Sequence, residues 1–215
     1  MGRIFTMKQQ VYTIIRQRIA DGTYRHGQKL QENDVANDLN VSRSPVREAL
    51  KQLVIEGILV ETPNKGVTIR SFTEHEIQDI YAVKRQLELY ALEYLADHPE
   101  LLPKKSLHDV KTSILSAVDR DVDYLCSPEI NPHFVFVEAV GNSFLSEMHH
   151  RTDFYTTSYH RALFAGVNYQ VNISQHLEIV NALRAEDYPL ARVALLRHLH
   201  NSQEIICKAI REDTI

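Results

Sequence analysis

The sequence predicts a mainly α protein in two parts: an N-terminal winged helix-turn-helix of three helices plus a β-hairpin wing, then an all-α antiparallel helical bundle. Three observations predict it. Apolar residues recur with helical period through most of the 215 residues, broken by one stretch of alternation around Pro63-Asn64-Lys65-Gly66. Charge is split, with 11 Lys and Arg against 7 Asp and Glu in residues 1–72 but 13 against 21 in residues 73–215. Histidine is split too: His26 lies in the first part and the other ten in the second. A basic segment suits a polyanion and an acidic one does not, so residues 1–72 and 73–215 read as two domains with two separate tasks.

The elements follow in order. Val11, Ile14, Ile15 and Ile19 mark a helix over Gln9–Ala20, stopped by Asp21-Gly22. "GTYRHGQKL" reads as a connecting turn. Val35 and Leu39 mark a second, short helix, and Asn40 takes the left-handed conformation that ends it. Ser42 or Ser44 caps a third helix with Pro45 in its first turn, and Val46, Ala49, Leu50 and Leu53 form its apolar stripe up to Gly57. "ILVETPNKGVTIRSF" is a two-stranded hairpin. "TEHE" at 73–76 opens the bundle as a capping box, with helices near 74–97, 104–124, 130–140, 142–166, 170–186 and 188–211.

Several function classes are excluded. There is no apolar run of membrane-spanning length and no secretory core at the start, so a cytoplasmic protein without membrane partners is expected. Cys126 and Cys207 lack CxxC spacing, and no disulfide is expected. The serines of "NVSRSPVREAL", residues 40–50, have neither a Gly-flanked strained turn nor a nearby base, so they do not read as nucleophiles. Nucleic-acid chemistry explains them better. Arg43 and Arg47 lie four apart on one helix face, where each can donate bidentately to guanine, and Ser42 and Ser44 can reach phosphate. Lys65 at the hairpin tip can reach the backbone or minor groove. The competing reading is that both arginines are solvated surface charges.

In the second domain, Glu129 and His133 are i, i+4, and His176 and His198 lie on the last two helices, which a tight turn at Asp187-Tyr188-Pro189 brings together. Three imidazoles and a carboxylate suit a divalent transition metal such as zinc, nickel or manganese. Ordinary hydrogen-bonded core histidines are the alternative. His149, His150, His160 and His200 read as surface or hinge residues.

"IIRQRIADGTYRHGQKLQENDVANDLNVSRSPVREALKQLVIEGILVETPNKGVTIRSF" resembles the DNA-binding domain of the GntR family of bacterial transcription regulators. The resemblance implies a homodimer on a palindromic double-stranded operator, with DNA contacts at Asn33, Ser42, Arg43, Ser44, Arg47, Lys65 and Gly66. Many members carry Arg where this chain has Asn33. "HFVFVEAVGNSFL" and "QHLEIVNALRAEDYPLARVALLRHL" resemble the FCD ligand-binding domain of the FadR-like subgroup. This second resemblance implies a metal held by Glu129, where Asp is usual, with His133, His176 and His198. It also implies a small carboxylate or sugar-acid effector meeting a basic side chain, for which Lys84, Arg85 and Arg151 are candidates, and repression as the favoured outcome. Two rivals stay open: a helical metalloenzyme with an accessory DNA-binding domain, and a DNA-binding dimer whose bundle is structural and metal-free.

Overall fold

The computed structural model describes residues 5–62, 66–116, 131–164 and 170–212. Lys65, Glu129, Cys126 and the second half of the expected 104–124 helix lie outside them. The chain packs as two units, Met1–Phe72 and Thr73–Ile215.

In the first unit, α1 (Met7–Ala20) begins two residues earlier than the apolar pattern suggests, because Thr6 and Gln9 close a capping box. Helix α2 (Glu32–Asp38) ends at Asn40, whose φ of 52° is the left-handed conformation expected of it. Helix α3 (Arg43–Ile55) starts from Ser42 and buries Val46, Ala49, Leu50 and Leu53 against Val11, Ile15 and Ile19 of α1 and Val35 of α2. The wing differs from the expected two-stranded hairpin. Its strands β2 (Leu59–Thr62) and β3 (Gly66–Ile69) are joined by a third, β1 (Lys29–Leu30), in the antiparallel order β1-β3-β2. The segment read as a connecting turn is therefore partly strand. Two residues are too few to show alternation, and the pairing is made from afar: Ile69 N donates to Gln28 O at 2.9 Å, and Gly27 N donates to Ile69 O at 3.0 Å.

The second unit comprises α4 (Glu74–Asp97), α5 (Lys104–Ser116), α6 (Pro132–Ala139), α7 (Ser143–Phe164), α8 (Gln170–Arg184) and α9 (Tyr188–Arg211). Thr73 and Glu76 form the expected capping box of α4. Helix α4 packs on α6, α7 and α9, and α8 packs on α5, α6 and α9. The inward stripe of α4 runs Ile77, Tyr81, Lys84, Glu88, Ala91 and Leu95, a strict four-three alternation in which two charged residues occupy core positions. The facing stripe of α7 is His149, Asp153 and Thr156, all buried. This overturns the surface reading of His149, which is 0% exposed. It sits on the same face as Asp153, four residues on, and bonds a buried carboxylate of α4.

The two charged stripes meet. Lys84 Nζ lies 2.5 Å from Asp153 Oδ1 and 3.6 Å from Glu88 Oε1, all three side chains being under a tenth exposed. Burial opposes every one of these charges. Opposite charges outweigh it: Asp153 and Glu88 raise the Lys84 ammonium, Lys84 and then His149 lower the Asp153 carboxyl, and His133 and then Lys84 hold the Glu88 carboxyl well below its ordinary value. Lys84→Met leaves two buried carboxylates without their cation and is expected to lower unfolding free energy by ~3–5 kcal/mol in urea titrations followed by circular dichroism. A change below ~1 kcal/mol would show these charges to be solvated.

Candidate functional site

Two constellations stand out, one in each unit. In the first, Ser42, Arg43, Ser44 and Arg47 all stand exposed at the N-terminal half of α3. Ser42 makes no side-chain capping bond, so its hydroxyl is not spent on the helix. Lys51 continues the Arg43 and Arg47 spacing by another four residues, an exposed basic stripe that the sequence reading left one residue short. A groove of about 330 Å3 runs between α3 and the wing, bordered by Lys29, Glu32, Arg47, Lys51, Glu61 and Gly66. Gly66, with φ of 86°, opens the return strand of the wing in a left-handed conformation that suits a residue without Cβ. Asn33 is exposed on α2, and its Oδ1 accepts from Arg43 Nη1 at 3.0 Å.

The second constellation joins three helices. His133 comes from the first turn of α6, where Asn131 caps the helix by accepting from His133 N. His176 comes from α8 and His198 from α9. Asp187 caps α9 by accepting from Leu190 N at 3.0 Å, and the turn before it folds the two helices antiparallel. The three rings are buried and within 5.3 Å of one another, centroid to centroid. One nitrogen from each lies within 4.8 Å of the others, and among the described residues this is the cluster with metal-holding geometry.

The hydrogen bonds at the rings suit a metal cation between them. His133 Nδ1 donates to Glu88 Oε2 at 2.7 Å, and His198 Nδ1 donates to Gln175 Oε1 at 3.2 Å. In the neutral rings these bonds place the proton on Nδ1 and leave Nε2 as a lone pair. His176 Nε2 lies 3.3 Å from His198 Nε2, while His176 Nδ1 is buried with no hydrogen-bond partner. That separation is the edge of a tetrahedron of about 3.3 Å expected for nitrogens about 2.05 Å from zinc. Burial, reinforced by neighbouring imidazoles, holds His176 and His198 well below their ordinary value, keeping them neutral as ligands must be. The donor set thus fits a divalent transition metal.

Glu88 is the residue that sequence reasoning missed. Its Oε1 also accepts from His149 Nε2 at 2.9 Å, so one carboxylate orients two imidazoles. The available signal was an acid on the apolar stripe of α4, three to four residues from Ile77-phase positions that bury. Of the basic candidates, Lys84 is buried and reaches the cluster through Glu88. Arg85 is half-buried and donates to Gln203 Oε1 at 3.3 Å, and Arg151 stands exposed beside Tyr155. His150 and His200 are exposed as expected, whereas the His160 ring turns inward to Tyr81, with Nε2 and the hydroxyl 2.9 Å apart.

Acid acts on this interior in one direction. Burial lowers His160 from 6.5 to about 3 and takes His176 and His198 well below 6.5, while Lys84 helps hold Asp153 and Glu88 below the usual carboxylate range. Each group binds protons more readily in the unfolded chain, so stability is full above about 6.5 and declines as pH falls toward about 3. Melting temperature is expected to be flat on the alkaline side of that window and to drop steadily through it. A melting temperature that rises with acid would contradict the assignment.

Residues 7–69 match the family model for bacterial regulatory proteins of the gntR family, and residues 79–201 match the FCD domain model. The chain belongs to the GntR family and carries an FCD domain. Curated proteins that it resembles are named as transcriptional regulators or repressors. It is 33% identical over 109 residues to an uncharacterized HTH-type transcriptional regulator, YdhC, of Bacillus subtilis, covering 49% of each chain. It is 34% identical over 135 residues to the gluconate operon transcriptional repressor of Bacillus licheniformis, covering 61% of this chain and 54% of that one. The chain thus spans about half the length of these curated relatives. Among solved structures, E. coli McbR/YncC superposes with a TM-score of 0.80 over 95% of this chain and 99% of that one, at 20% identity, a likeness of fold. No described helix is long and apolar enough to cross a membrane.

Proposed function

We propose that this GntR regulator is a homodimeric repressor that reads a palindromic operator with α3 and the wing, and that its bundle holds a divalent transition metal at which a small carboxylate or sugar acid binds. The observation that carries the reading is the convergence of three buried imidazoles, two of them with Nδ1 held by an acceptor, which leaves Nε2 available as a ligand. His133, His176 and His198 would hold the metal, with Glu129 as the acidic ligand implied by family resemblance. The metal would supply a Lewis-acidic position for the effector's carboxylate. The chain's own part is to orient the ligands through Glu88 and Gln175 and to offer buried Lys84 as a cation, which would then exchange Asp153 for the effector. At the operator, Arg43 and Arg47 would contact base edges, with Ser42, Ser44, Lys65 and Gly66 along the phosphates, and Asn33 on the same surface.

Regulation requires that the effector bind the operator-free form better than the operator-bound form. Fluorescence anisotropy on a duplex selected by the protein from a random pool tests this, with gluconate and short dicarboxylates titrated into zinc-loaded and EDTA-treated protein. Release of the duplex in the loaded protein alone is expected. Operator affinity indifferent to every such acid in both states would end the effector reading.

A further inference from the structure

The side chains that hold the two arginines of α3 are consecutive residues of the preceding helix. Arg47 Nε donates to Glu32 Oε1 and Oε2 at 2.9 and 3.0 Å, and Arg47 Nη2 donates to Glu32 Oε2 at 2.9 Å, a bidentate pair on one edge of the guanidinium. The neighbouring residue, Asn33, accepts from Arg43 Nη1 at 3.0 Å. Because guanidinium only donates, the Asn33 atom facing it must be the carbonyl oxygen. Both partners sit at the start of α2 and both arginines at the start of α3.

We infer that Glu32 and Asn33 set operator preference indirectly, by holding the Arg47 and Arg43 guanidinium groups in the orientation that reads base pairs. The inference rests on the reading that α3 faces the operator. Arginine has five N–H donors in a planar fork. Glu32 uses the Nε edge of Arg47 and leaves the terminal edge, made by Nη1 and the second hydrogen of Nη2, free to donate bidentately to guanine N7 and O6. An exposed arginine otherwise samples many rotamers, and ordering it on binding lowers affinity and lets it reach neighbouring bases. A carboxylate partner removes that freedom before DNA arrives. It also repels phosphate, so Glu32 trades general affinity for selectivity. Asn33 acts alike on Arg43 without the charge. The asparagine that stands where many relatives have arginine is, on this view, a positioning residue for Arg43 and reads no base itself.

The test is selection from a random duplex pool by the full-length protein, sequencing the bound fraction for wild type, Asn33→Ala, Asn33→Asp, Glu32→Ala, Arg43→Ala and Arg47→Ala, with melting temperatures to confirm folding. Asn33→Asp keeps the acceptor oxygen and loses the amide donor. It is expected to retain the base preference at the Arg43 position, while Asn33→Ala flattens it about 5-fold or more. Glu32→Ala is expected to flatten preference at the Arg47 position and to bind unselected duplex several-fold more tightly, a pairing of effects that loss of structure does not produce. Loss of preference in Asn33→Asp as complete as in Asn33→Ala would overturn the inference, since it would make the amide a direct reader. So would unchanged preference in Asn33→Ala and Glu32→Ala. If Arg43→Ala and Arg47→Ala themselves keep the wild-type preference, the operator-facing reading of α3 falls, and the inference with it.

Discussion

Arg47→Ala is expected to weaken binding of the protein's preferred duplex by about 5–150-fold per half-site, the worth of one bidentate arginine–guanine pair at ~1–3 kcal/mol. The loss should concentrate on one base pair of each half-site, because on the proposed reading a base contact is removed while the phosphate contacts proposed for Ser42 and Ser44 persist. Lys51→Ala, on the same exposed stripe of α3, provides the contrast. It is expected to weaken all duplexes alike and to reduce the slope of log affinity against log salt by about 1, the signature of one lost phosphate contact. Anisotropy titrations at several salt concentrations separate the two. An Arg47→Ala protein with wild-type affinity and selectivity would leave Arg47 as the solvated surface charge of the competing reading.

His176→Ala is expected to abolish stable metal binding in the bundle. Removing one of three converging imidazoles leaves His133 and His198 with too few donors, and the effect should exceed that of Glu88→Gln, expected at about 10–100-fold because Glu88 only orients His133. The ranking is the informative part. Glu88→Gln keeps size and a carbonyl acceptor but loses the charge, so competition titration against a chromophoric zinc chelator should place it between wild type and His176→Ala. Equal zinc affinity in all three proteins would show that the cation binds elsewhere.

The helical parts of the fold were legible because their periodicity is local. Val46, Ala49, Leu50 and Leu53 announce α3, and Thr73 with Glu76 announces α4. Strand β1 was not legible, since two residues gain strand character only from a partner some forty positions away. The histidine set was legible in part, through the 22-residue spacing of His176 and His198 across a capped turn. Their orientation was not, because Gln175 and Glu88 act from other helices or from an adjacent position with no motif of its own. The buried polar layer is hidden for a related reason: His149 reads as a surface residue until α4 presents Glu88 to the same plane. Charged residues on the interior stripe of a helix are the readable trace of such a layer.

The measurement that tests the central claim most directly is elemental mass spectrometry of tag-free protein, purified without chelator, for wild type and His176→Ala. The account predicts about one divalent transition metal per wild-type chain and about none in the variant, since a three-imidazole centre is lost with one of its ligands. No metal in either protein, even after incubation with zinc or nickel, would contradict it and leave a DNA-binding regulator whose buried histidines serve packing alone.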